Sequence, residues 1–142
     1  MLGSLQRPSM RVRTAVFGAI LGLIAVGIPA VAHHSVSAEF DLSKRITLQG
    51  RITKIEWMNP HVYLYVDVNS GGKTANWACE TAGPNTLARQ GWSQTSLKIG
   101  DQVTVVGYRA RDGSSVVSAR RVVLANGRKV FVGSPNDGGP QP

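Results

Sequence analysis

Three histidines carry most of the chemistry this chain offers, and two of them are adjacent. His33 and His34 follow Ala30-Val31-Ala32, the small-x-small pattern read by signal peptidase. A cut after Ala32 makes His33 the new amino terminus. An α-amine titrates near pH ~8 and an imidazole near ~6.5, so both offer lone pairs close to neutrality. A terminal histidine then binds a metal through amine and ring together. One further imidazole completes a planar nitrogen set, which suits the tetragonal preference of Cu(II). His34 or His61 supplies that imidazole. His61 closes the run Trp57-Met58-Asn59-Pro60-His61. Residues 34–45 reach up to about 40 Å when extended, enough to bring the two together. Met58 adds a soft sulfur suited to Cu(I). A cut after Ala30 instead places His33 third from the amine, which also wraps Cu(II) or Ni(II). Copper binding in a test tube is therefore weak support by itself. The plain readings are that His33 and His34 aid processing and that His61 hydrogen-bonds its turn.

A second candidate site is built on Tyr63 and Tyr65, which alternate with the valines of a strand and face away from them. Exposed aromatics stack on sugars or dock protein partners, and Lys73, Arg109 and Arg111 from flanking loops would add charge. The plain reading is cross-strand packing on an outer face. An enzyme is the weakest class. The sequence has no Cys-x-x-Cys, phosphate-binding glycine loop, Gly-x-Ser-x-Gly or His-Glu-x-x-His, and its eight carboxylates are scattered. The single Cys79 has no partner for an internal disulfide and reads as a small apolar core residue on the same side of its strand as Trp77.

The elements that position these residues follow from charge and periodicity. Arg7, Arg11 and Arg13 precede nineteen uncharged residues, 14–32, broken by Gly18, Gly22, Gly27 and Pro29. This is a cleaved signal peptide over residues 1–32, so contact with the membrane is confined to export and the mature chain is periplasmic or secreted. The leader holds three of the sixteen basic residues and none of the acidic ones, leaving thirteen basic against eight acidic residues. That excess is spread along the chain and is not the clustered footprint of a nucleic-acid binder. The expected partner is a periplasmic protein or a small ligand.

Residues 33–45 read as an extended lead-in, and 46–132 as one β domain. Residues 133–142, rich in glycine and proline, read as a disordered tail. Strands are expected at 46–57, bending at Gly50, and at 62–68 and 74–80 around Asn69-Ser70-Gly71-Gly72. A short helix, 86–90, opens after Gly83-Pro84-Asn85 and ends at Gly91, with Trp92 and Leu97 beneath it as a plug. Strands at 102–109 and 116–124 flank Asp112-Gly113, and a short one at 129–132 follows Asn126-Gly127. Three strands, a helix, then two strands is the order of a five-stranded OB-like Greek-key barrel with its helix between strands 3 and 4.

The combination Ala32-His33-His34-Ser35, Trp57-Met58-Asn59-Pro60-His61-Val62, Gly83-Pro84-Asn85-Thr86-Leu87 with Gly91-Trp92, and Ser96-Leu97-Lys98-Ile99-Gly100-Asp101 resembles the exported bacterial family called domain of unknown function 6152. The likeness runs from about residue 32 to 132. It implies export and a small β-rich domain but no established activity. His33, His34, Trp57, Asn59, Pro60 and His61 match the family's motif positions. Cys79 departs from the ordinary apolar residue expected there, consistent with a core role.

Overall fold

The structure, a computed structural model, describes residues 35–134. The expected signal peptide, His33 and His34, and the tail from residue 135 lie outside the described residues. Among the described residues no helix is long and apolar enough to cross a membrane. The described residues are mainly β, with six strands and two short helices among them: α1 (Val36–Glu39), β1 (Phe40–Trp57), β2 (Val62–Ser70), β3 (Lys73–Glu80), α2 (Pro84–Arg89), β4 (Gln102–Ala110), β5 (Val116–Leu124) and β6 (Lys129–Phe131). The sheet order is β3-β2-β1-β4-β5-β6, and β3 also pairs with β5 in parallel through Ala78, Cys79 and Glu80. Hydrogen bonding therefore runs in a ring through β1, β2, β3, β5 and β4. β6 lies outside the ring, on the second half of β5, where Asn126-Gly127 turns the chain back.

β1 belongs to both halves of the ring. Its first part pairs with β4 and its second with β2, and Gly50 faces both Val68 and Val103. A Cβ at Gly50 would lie 2.1 Å from the Asp67 carbonyl oxygen, so only glycine lets the strands approach this closely. A bulge at Thr53 then shifts the pairing between Ile52 and Lys54, increasing the local bend. The strand starts at Phe40, earlier than alternation suggests, and α1 makes one helical turn where an extended lead-in is expected. The reason is a small outer cluster: Val36 and Phe40 bury themselves against Tyr108, with Leu42, Ala110 and Val116 around them. Arg111 fastens this segment, its backbone N–H donating to Glu39 and its Nε to the Ser37 carbonyl.

Inside the ring, Leu48, Ile52, Val62, Leu64, Val66, Cys79, Val103, Val105, Val117, Ala119 and Val122 form the core. α2 closes one end. Gly91, with φ of +85°, ends it in a left-handed turn. Trp92 N–H donates to the Leu87 carbonyl and Gly91 N–H to that of Ala88, the paired bonds of a Schellman ending. That turn folds Trp92 back into the core with Leu87 and Leu97. Cys79 is fully buried, and burial pushes its thiol up to about 12.

Candidate metal centre

His61 owes its position to the turn between β1 and β2. Trp57 faces Val62 as the last ladder pair, leaving residues 58–61 as the turn, with a cis peptide bond between Asn59 and Pro60. The turn lies against the segment linking β3 to α2. Val62 N–H donates to the Ala82 carbonyl at 3.1 Å, and Thr81 N–H to that of Val62 at 2.9 Å. The buried Thr81 hydroxyl donates to the same Val62 carbonyl at 2.8 Å. A Cβ at Gly83 would stand 2.5 Å from the Pro60 carbonyl oxygen, so the absence of a side chain there is what lets the two segments touch. The Trp57–His61 and Gly83-Pro84-Asn85 motifs, separated by 21 residues in sequence, are thus two halves of one contact.

This contact fixes the chemistry of the imidazole. His61 Nδ1 sits 2.9 Å from the Thr81 carbonyl oxygen. A carbonyl can only accept, so Nδ1 carries the proton and donates, leaving the lone pair of the neutral ring on Nε2. Metal-binding histidines are commonly oriented by such a bond from the other nitrogen. Glu80 Oε1 lies 3.7 Å from Nδ1, and Glu80 Oε2 accepts the Tyr63 hydroxyl at 2.8 Å. A carboxylate beside the ring favours a cation there. The His61 side chain is 39% exposed. Among the described residues, no three His, Cys, Asp or Glu side chains gather as a metal-holding group. His61 is one ligand, not a complete set.

Glu39 is close enough to Tyr63 for its charge to raise the Tyr63 phenol, behind burial and the hydrogen bond to Glu80 as the larger causes. Tyr63 faces Glu80 across β2 and β3, and Glu80 flanks His61. Ser35, where the described structure begins, is four residues before Glu39, about one helical turn away.

The sequence profile of a family of unknown function, DUF6152, matches residues 19–118. The chain belongs to the DUF6152 family. No curated protein matches it.

In this DUF6152 chain the tyrosine face is a self-satisfied ladder. Tyr63 donates to Glu80, and Tyr65 donates to Glu56 at 2.8 Å. Glu56 also accepts from Lys54, whose ammonium stands 5.0 Å from the centre of the Tyr65 ring. The hydrogen bonds from Lys54 and Tyr65 hold the Glu56 carboxyl below its usual range. One row further, Asn76 donates to Asp67 and to Thr53. Arg109 does not join this face. It faces Val117, which also faces the buried Cys79, and its guanidinium lies 5.4 Å from the Trp77 ring on the core side. Arg111 is occupied in fastening α1, and Lys73 is exposed beside the β2–β3 turn. Trp57, half-buried, packs against the core beside Ile55.

Glu80, Thr81 and Gly83 are the site residues that sequence reading passes over. Glu80 was within reach. Gly71 and Gly72 form a two-residue turn, both at positive φ, and counting back along the ladder sets Glu80 opposite Tyr63. Thr81 carries no such signal, because its role lies in a backbone carbonyl that any residue supplies.

Proposed function

We propose that this protein is an exported binding protein that holds a copper-type ion through the mature amino terminus at His33, with His61 or His34 completing the nitrogen set. The observation that carries the reading is the commitment of His61 Nδ1 to the Thr81 carbonyl, which leaves Nε2 as a preoriented ligand. Two features support it. His33 and His34 immediately precede Ser35 in sequence, and the Glu80 carboxylate flanks His61. The Ala30-Val31-Ala32 junction is the feature that would create the chelating amine. We read the strand ring as an OB-like Greek-key barrel, on the β3–β5 parallel closure and the helix between β3 and β4. In this reading the domain is a rigid frame for a site at one hairpin, and it acts in metal handling rather than catalysis. The glycan or partner face takes second place, because both tyrosine hydroxyls are already donated and Arg109 is on the other side.

Copper titration of the mature chain tests this. His33→Ala and His61→Ala are each expected to weaken Cu(II) binding about tenfold or more, while Tyr65→Ala leaves it unchanged. Equal affinity in all three variants would refute the site.

A further inference from the structure

Met58 is the one methionine of residues 33–142, since the other two are Met1 and Met10. It is also 56% exposed, one of two large hydrophobic side chains so exposed among the described residues. A methionine of this size ordinarily fills gaps in a core. Here the core beside it is already occupied by Trp57, Val62 and Trp92.

Its position is defined by the turn. Because Trp57 faces Val62, Met58 and His61 are the two shoulders of residues 58–61, and the ends of a turn of this kind lie within about 7 Å of each other. His61, next to the inward Val62, lies on the outer side with Tyr63 and Glu80, and Met58 stands exposed at the other shoulder of the same turn. His61 already meets Glu80 there. We infer that the hairpin itself is a cuprous site, in which the Met58 thioether and His61 Nε2 hold Cu(I).

The chemistry of the pair selects that ion. A thioether is a soft, uncharged donor that favours Cu(I) over Cu(II) or Zn(II), and imidazole accepts either oxidation state of copper. Cu(I) needs few ligands, so two shoulders of one turn are a sufficient beginning. The Thr81 carbonyl holds the imidazole in the ligating tautomer, and Glu80 supplies negative charge without being consumed as a ligand, since it accepts from Tyr63. This site rests on the same Nε2 as the proposed function but needs neither His33 nor His34. The hairpin would hold the reduced ion, while the oxidised ion is the one the nitrogen set of the proposed function suits.

The test uses the mature chain under anaerobic reducing conditions, with Cu(I) delivered from a competing chromogenic chelator. Met58→Leu keeps volume at an exposed position and so leaves folding intact. It is expected to weaken Cu(I) binding tenfold or more and leave Cu(II) affinity unchanged. The double variant with His33→Ala and His34→Ala is expected to do the reverse. Loss of Cu(II) binding without a response to Met58→Leu would overturn the cuprous site while sparing the proposed function. Retained Met58 dependence without any effect of the terminal histidines would do the opposite. A second readout needs no variant. Methyl-labelled methionine gives a single resonance in the mature chain, which should shift on adding Ag(I), a redox-inert stand-in for Cu(I). An unmoved resonance overturns the inference.

Discussion

Gly83→Ala tests whether the contact between the two motifs builds the site. Gly83 has φ of −70° and ψ of 162°, a conformation any residue adopts, so backbone strain plays no part. The effect must come from the new Cβ, 2.5 Å from the Pro60 carbonyl oxygen. Restoring ordinary contact near 3.4 Å requires the segments to part by about 0.9 Å. Among the bonds that cross this seam are Val62 N–H to Ala82 at 3.1 Å and His61 Nδ1 to Thr81 at 2.9 Å. Such a parting takes both beyond hydrogen-bonding distance. At about 1 kcal/mol net for each bond, the domain loses roughly 2 kcal/mol. For a domain of this size that is a fall of about 10 °C in Tm. Cu(II) affinity should fall about tenfold as well, because the carbonyl that orients His61 is withdrawn. Gly83 is also the N-cap of α2, and alanine is a poor cap. Gly83→Ser separates the two causes, since serine caps well but carries the same Cβ. Thermal unfolding followed by circular dichroism, with a parallel copper titration, reads both effects. Serine matching glycine in Tm would refute the steric reasoning, and unchanged copper affinity in both variants would refute the orienting role of Thr81.

Three further outcomes are expected. The Tyr63 phenol is raised mainly by burial, so its neutral form stabilises the fold up to about pH 10 and that stability is lost as pH rises through the folded value; in an ultraviolet titration Glu80→Gln should leave Tyr63 still raised, whereas Glu56→Gln should return Tyr65, raised chiefly by its hydrogen bond, toward the ordinary value. Cys79, with its thiol pushed up to about 12, should resist thiol reagents at pH 8 until the protein is unfolded, and rapid labelling of the native state would contradict its core placement. Phe40→Ala should cost about 3 kcal/mol locally, detected as faster hydrogen exchange at residues 36–42 with protection kept at Ile52, Val66 and Val105; uniform loss of protection would mean that the outer cluster is part of the central core.

Much of the strand plan is legible because alternation and turn residues report it directly. Val62, Leu64 and Val66 alternate with Tyr63, Tyr65 and Asp67, and the structure turns the first set inward. Gly50 announces the bend of β1, and Gly91 announces the end of α2. The start of β1 is hidden because residues 40–45 are mostly polar. Phe40 finds its partners, Val36 and Tyr108, on the outside of the sheet, where periodicity gives no guide. The site divides in the same way. His61 stands out by residue type, but the atom that fixes its tautomer is a backbone carbonyl with no signature of its own. Tyr63 with Arg109 looks like one surface in sequence. The register separates them, because Arg109 shares a face with Val117 and Trp77.

The most direct test of the central claim is native intact-mass spectrometry of the protein recovered from the periplasm without added metal. The account predicts a chain that begins at His33 and carries one copper ion, lost in the His61→Ala variant. A chain that begins at His33 and carries no metal would contradict it, leaving the histidines as a feature of processing.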